Sequence, residues 1–177
     1  YIKKTLSGDV MNIKKVSVDK EGTGMGWGAV YAQYLESMDQ IGEQGNGLSV
    51  SRQLYKGDEA LNESAPLKVG DKITVRLTVK ADRDMDFVQI KDDRAACMEP
   101  LQAVSGFRWG NGLGYYQATK DASTQFFIDQ MRKGTYVIEY QVYVNRTGEY
   151  QAGIATVQSA YAPEFGGHTG GYRVMVE

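Results

Sequence analysis

The chain has 177 residues, with 20 Lys and Arg against 22 Asp and Glu, one His, and a net charge of −2. That balance argues against nucleic acid as a partner, because phosphate binding needs a basic surface, and no apolar run approaches the roughly 18 residues of a membrane span. With 42% hydrophobic and 24% charged residues the chain is expected to fold as one domain, with room for a small appendage. Twenty-one Gly against three Pro, together with twelve Tyr, favour strands joined by glycine turns over helices. Cys97 is the only cysteine, so no internal disulfide can form.

The chain opens on Tyr1 rather than Met, directly on a strand-like stretch. It reads as a piece of a longer protein whose signal peptide or lipid anchor would lie elsewhere. Residues 10–18 alternate apolar and polar side chains and predict a strand. Gly24-Met-Gly26-Trp-Gly28-Ala29 formally matches the G-x-G-x-x-A dinucleotide fingerprint. That chemistry needs a buried parallel strand before the glycines and a helix after them. Residues 10–18 instead alternate apolar and polar side chains, no further βαβ units follow, and residues 22–28 read as a flexible connection. Residues 29–41 fit a helix through Val30, Tyr34, Leu35 and Met38, or a strand through Val30, Ala32 and Tyr34. The preference of Tyr and Val for extended geometry tips the choice to a strand reaching about Leu35.

Residues 48–54 predict the next strand. Ile73, Val75, Leu77 and Val79 then alternate with Lys72, Thr74, Arg76, Thr78 and Lys80, a half-buried strand with one wet face. Asp82, Asp84 and Asp86 begin like a calcium loop, but Phe87 and Asp93 stand where an EF-hand needs Gly and a bidentate Glu. These carboxylates read as a solvated turn before a strand at 86–91. Residues 106–114 read as a glycine-rich loop and 125–128 as a strand. Tyr136, Ile138, Tyr140, Val142 and Val144 alternate again after the Lys133-Gly134 turn. Asn145-Arg-Thr-Gly148 turns the chain into an extended stretch at 149–158, and a loop at 166–171 precedes a last strand at 171–176. Roughly eight to ten short strands with regular turn signals make an all-β antiparallel sandwich with at most a short helix.

The chemistry-bearing residues are few. A Cys97 nucleophile would need an imidazole, and the only one, His168, sits in Gly166-Gly-His-Thr-Gly-Gly171, too loose to orient a base. Cys97 reads as a semi-buried structural cysteine. There is no G-x-S-x-G elbow and no HExxH helix, so no catalytic residue, cofactor or metal is expected. Trp27, Trp109, Tyr115 and Tyr116 lie in or beside glycine-rich segments. Aromatics there can stack on sugars, which leaves a glycan-binding or adhesion sandwich as an alternative function. An exposed aromatic platform flanked by amides would favour sugar; rings turned into the core or towards another domain would not.

A series of short motifs in fixed order resembles the C-terminal end of the bacterial alpha-2-macroglobulins, including their last macroglobulin-like domain. It runs through Leu48-Ser-Val-Ser-Arg52, Leu67-Lys-Val-Gly-Asp71, Ile90-Lys-Asp-Asp-Arg94, Glu99-Pro100, Tyr115-Tyr116 and Phe126-Phe127. Lys133-Gly134-Thr-Tyr136, Glu139-Tyr140, Gly148-Glu-Tyr150, Ser159-Ala-Tyr-Ala-Pro-Glu164 and Val174-Met-Val176 continue it. The resemblance implies an immunoglobulin-like macroglobulin sandwich at 48–177, with 1–47 a β segment leading out of preceding domains and packed on it. It also implies a non-catalytic structural and interaction domain of a periplasmic or cell-envelope protease inhibitor, with a lipid anchor in the missing N-terminal part as one means of attachment. The implied partners are other domains of the parent, above all its thioester domain, and target proteases through the parent. In the family the thioester joins Cys and Gln of a C-x-E-Q motif in a separate helical domain. Cys97-Met-Glu-Pro100 ends in Pro, which has no carboxamide to condense with a thiol, so no catalytic residue is assigned here. Bacterial members set the aromatic of a Tyr-x-Pro-Glu segment against the thioester, and a thioester survives only where nucleophiles are kept out. The matching position is Tyr161, with Ala160, Pro163 and Glu164 beside it as candidates for shielding or interdomain contact. Ala160 stands where the family often has Met.

Overall fold

The two most regular alternations in the sequence lie side by side. In the computed structural model, which describes residues 2–7, 13–31, 33–62 and 65–177, Val142 pairs with Ile73, Tyr140 with Val75 and Ile138 with Leu77 across one antiparallel ladder. Paired residues share a face, so these side chains form one apolar surface. The strands are, in chain order, β1 (Gln44–Asn46), β2 (Leu48–Lys56), β3 (Glu59–Ala60), β4 (Lys72–Ala81), β5 (Met85–Asp93), β6 (Met98–Pro100) and β7 (Gly106–Gly110). They continue with β8 (Leu113–Thr119), β9 (Ser123–Met131), β10 (Gly134–Val144), β11 (Gly148–Ala152), β12 (Ala155–Ser159), β13 (Gly166–His168) and β14 (Tyr172–Val176). A 3-10 turn at Met38–Gln40 is the one helical element among the described residues. The fold is an all-β antiparallel sandwich.

One continuous path runs β6-β10-β4-β2-β1-β13-β12-β5-β9-β8-β7, with β3 paired to β2 and β11–β14 forming a separate ribbon. The path doubles back at the short β1 and β13, so β2, β4 and β10 face β5, β9 and β12. Phe126 of β9 and Tyr140 of β10 meet across that space with ring centroids 5.9 Å apart. Leu48, Ile73, Leu77, Ile90, Phe126, Ile128 and Ile138 fill it and are fully buried. Gly47 makes the corner between β1 and β2 with φ +69, a left-handed conformation that side chains with a Cβ rarely adopt.

Tyr1–Tyr34 and Leu35–Glu177 form two separate compact units. In the first, the described residues form no helix or strand. The strand expected at 10–18 is therefore corrected: 10–12 lie outside the described residues, and 13–18 have no ladder partner, with Ile13, Val16 and Val18 exposed. The strand expected from 29 to about Leu35 does not form in its described residues either. Val30, Tyr31, Tyr34 and Leu35 are exposed, and extended propensity without a neighbouring strand does not make a sheet.

Three further boundaries differ. Residues 106–114, expected as a loop, are the hairpin β7–β8, turned at Asn111-Gly112 with φ 50 and 76. Both residues are left-handed, as a type I′ hairpin requires, and the Asn-Gly signal for it was present in the sequence. The stretch 149–158 is two strands in different sheets, since β11 pairs with β14 and β12 with β5. Within the expected loop at 166–171, Gly166–His168 pairs on both sides as β13.

Gly47→Ala tests the corner. An added Cβ would stand 2.7 Å from the Phe165 ring, and left-handed backbone costs a non-glycine residue about 1–2 kcal/mol. The substitution lowers the unfolding free energy, read from urea titration, by at least that much, while Gly57→Ala, at a similar φ in open space, loses only the backbone component.

Candidate functional site

The connection from β12 to β13 is a tight hairpin tip carrying every candidate residue of the Tyr-Ala-Pro-Glu segment. The Phe165 N–H donates to the Ala162 carbonyl at 2.9 Å and the Ser159 N–H to the Phe165 carbonyl at 3.0 Å, which closes the tip on itself. Two amides from adjoining strands hold its descending limb: Gln158 Nε2 donates to the Pro163 carbonyl at 3.2 Å and Asn46 Nδ2 to the Glu164 carbonyl at 2.7 Å. The Ala160 N–H donates to the Phe87 carbonyl at 2.8 Å, fastening the ascending limb to β5. Phe165 turns inward under Arg83, whose guanidinium carbon lies 4.6 Å from the ring centroid.

Tyr161 stands at the tip and is 81% exposed. Ala160, Pro163 and Glu164 are exposed around it. Its ring is met edge-on by Phe87, centroids 5.2 Å apart at 83°. Phe87 is missing from the sequence-based set, although it has φ +53 and remains 49% exposed. A bulky residue in left-handed conformation is an outlier that a surrounding structure must hold in place. No sequence signal marks it. Below the tip a groove of about 620 Å³ runs over Gln44, Asn46, Gln158, Glu164 and His168.

Among the described residues Cys97 and His168 are not brought together as a nucleophile and a base. Cys97 is buried, and burial pushes its thiol up. The His168 ring lies with Nδ1 3.1 Å from the Thr169 carbonyl oxygen. Asp82 accepts from Arg83, and Asp84 from Arg132 and from the Lys133 N–H. Among the described residues no group of three or more metal-ligating side chains gathers. Of the four aromatics weighed for sugar, Tyr115 points into the core against Phe126 at 5.6 Å. Trp109 and Tyr116 point outward, and Trp27 is exposed in the first unit.

The charged residues of the sandwich interior have a different task. Arg52 of β2 forms an ion pair with Asp92 of β5 in which both side chains are almost inaccessible, at 5% and 1%. Arg52 also donates to the Gly153 carbonyl at 2.6 Å and lies 4.6 Å above the Tyr172 ring. The Tyr140 hydroxyl donates to the other oxygen of Asp92 at 2.7 Å. Burial opposes the Arg52 charge, but Asp92 and the neighbouring phenols outweigh it and its pKa rises. Burial and then the Asp92 charge push Tyr140 well above its ordinary range. Burial likewise pushes Tyr172 up to about 12, against the pull of Arg52. Arg94 donates to Thr124 Oγ1 at 2.6 Å and to the Asp121 carbonyl at 2.9 Å, tying β5 to the turn before β9.

The sequence profile of the Bacterial Alpha-2-macroglobulin MG10 domain matches residues 47–164. The chain belongs to this family. The MG10 fold recurs in a Salmonella alpha-2-macroglobulin reacted with methylamine, at 20% identity and TM-score 0.63, covering 76% of this chain and 10% of that one. An Escherichia coli alpha-2-macroglobulin activated by porcine elastase matches at 16% identity and TM-score 0.66, over 77% of this chain and 14% of that one. A native E. coli alpha-2-macroglobulin spanning domain MG7 to the C-terminus matches at 17% and 0.64, over 76% and 24%. Among curated proteins, Circularly permutated Ras protein 2 of Dictyostelium discoideum is 28% identical over 166 residues, which is 90% of this chain and 4% of that protein. The chain thus spans a small fraction of each relative, and MG10 domains are parts of larger alpha-2-macroglobulin chains.

The buried phenols give the MG10 domain an alkaline limit. Both have folded-state pKa values above the unfolded value near 10, so their contribution is complete below pH 10. Above it the unfolded chain releases protons that the fold retains, and stability falls by up to about 1.4 kcal/mol per pH unit for each phenol. Urea midpoints are expected to drop steeply from pH 10 to 11.5. Tyr140→Phe lowers the midpoint at pH 8, because Asp92 loses a donor, yet flattens the alkaline slope.

Proposed function

We propose that this MG10 domain is a non-catalytic interaction domain of an alpha-2-macroglobulin-like protease inhibitor, one that packs on the parent's thioester domain and shields it. The reading places the parent in the periplasm or cell envelope, makes the thioester domain the immediate partner, and brings target proteases into contact through the parent. Residues 1–47 then serve as the lead-in from preceding domains. The observation that supports it is the Tyr161 tip. An aromatic that is 81% exposed on a loop braced from β1, β5 and β12 presents apolar surface with little ordering left to do on contact. Its hydroxyl can stay at a wet rim while the ring covers an apolar neighbour. Phe87, edge-on to Tyr161, widens that surface from two strands at once.

The test uses a parent chain shown to carry an intact thioester. Tyr161→Ala opens a water path, and thioester loss to methylamine accelerates roughly tenfold, the equivalent of about 1.4 kcal/mol of barrier. Phe87→Ala accelerates it less, through loss of support for the tyrosine. The urea midpoint of the domain changes little in Tyr161→Ala. Equal inactivation rates for Tyr161→Ala and the unaltered parent would return the loop to ordinary packing.

A further inference from the structure

A second exposed surface lies on other strands. Register across the sheet places Phe107 of β7, Tyr116 of β8, Phe127 of β9 and Gln89 of β5 in one row, followed by Gln158 of β12. Because paired residues share a face, the three rings and the amides point the same way. That way is outward: Phe107, Tyr116 and Phe127 are exposed, while the alternating Tyr115, Phe126 and Ile128 are buried. Trp109, two residues along β7 from Phe107, pairs with Gly114. A Cβ on Gly114 would come within 2.9 Å of both Cε3 and Cζ3 of the indole. The ring therefore lies down on bare backbone, and the residue is 79% open to solvent. Between these rings is a depression of about 420 Å³, floored by Gly114 and bordered by Asp129. The hairpin that carries it is fixed from the opposite sheet, since Asn111 Nδ2 donates to the Val137 carbonyl at 3.0 Å.

Charge decides what fits. The polar groups beside the rings are the amides of Gln89 and Gln125, 3.4 Å apart, and the carboxylate of Asp129, which forms no ion pair among the described residues. Lys91, on the same outer face, pairs with Asp93 at 2.9 Å. Arg108 also borders the depression, but it pairs with the inward Tyr115 and reaches back to donate to Gln102 Oε1 and the Val104 carbonyl, with no ion pair among the described residues. Among the described residues no unpaired cation projects from the outer face of these strands, which disfavours a phosphate, a sulfate or an acidic segment. Aromatic faces set among amides and one carboxylate match a neutral hydroxylated ring, whose C–H face stacks and whose hydroxyls both donate and accept. We propose that the outer face of β7–β8–β9–β5 binds a neutral glycan, with Trp109 as the stacking platform and Asp129, Gln125 and Gln89 as its hydroxyl partners.

The experiment titrates the chain with cellohexaose, chitohexaose and laminarihexaose, with dextran sulfate as the anionic comparison. Trp27→Phe leaves Trp109 as the sole indole, and its emission is expected to shift with at least one neutral hexasaccharide. By calorimetry Trp109→Ala weakens that binding more than tenfold and Asp129→Asn severalfold. Trp27→Phe and Tyr161→Ala leave it unchanged, and all variants keep the parent circular dichroism. The proposal falls if none of the three neutral sugars binds, if binding survives Trp109→Ala, or if only dextran sulfate binds. It also falls if Trp109 in a longer parent chain is shielded from acrylamide quenching, which would make the face a contact between domains.

Discussion

Among the described residues a single buried ion pair, Arg52 to Asp92, joins the two halves of the sandwich through their interior, and much of the remaining structure is arranged around it. Two opposite charges inside an apolar layer lose their water, and the attraction between them offsets that loss only if every remaining donor and acceptor is occupied. Here Asp92 takes a second hydrogen bond from Tyr140, and Arg52 reaches the Gly153 carbonyl and the Tyr172 ring. These partners come from β2, β5, β10, the β11–β12 junction and β14, so a shift of any one strand leaves a buried charge uncovered. The apolar core supplies most of the stability without specifying how the two halves align. The ion pair supplies that alignment, because a hydrogen-bonded charge pair tolerates far less sliding than packed Val and Ile.

This gives a physical meaning to the most recognisable stretches of the sequence. Leu48-Ser-Val-Ser-Arg52 and Ile90-Lys-Asp-Asp-Arg94 look like surface charge on strands, yet Arg52, Asp92 and Arg94 are among the least accessible charged side chains described. Their spacing places them on the inner face of β2 and β5 together with Leu48, Val50, Val88 and Ile90. Stretches that carry the family resemblance are in this case a rule for aligning strands.

What could be read beforehand depended on whether the information was local. β4 and β10 were plain because alternation over ten residues has one reading once a face is buried. The β7–β8 hairpin was readable at Asn111-Gly112 but was masked by the surrounding glycines, which resemble a loop by composition. The break at Gly153–Ile154 was not visible, because the chain there leaves one sheet for another at a carbonyl held by Arg52, 101 residues away in sequence. The failed strands at 13–18 and 29–35 show the converse, a favourable local pattern with no partner strand. At the candidate loop, Tyr161 and its neighbours were found through a motif. Phe87 was not, since its left-handed backbone and its contact with Tyr161 exist only after β5 and β12 have paired.

The bracing of the Tyr161 tip has a mechanical consequence. A loop held only by its two ends can peel open while its domain stays in place. This one is stitched to β1 through Asn46, to β5 through Phe87 and back onto β12 through Gln158. Local opening would therefore have to break hydrogen bonds to three strands of the main sheet and not only fray the two ends of the loop. If the tyrosine covers a partner surface as proposed, that surface would be uncovered by movement of the whole sandwich rather than by opening of the loop. The tip would then move with the domain, as a blade moves with the handle fixed to it.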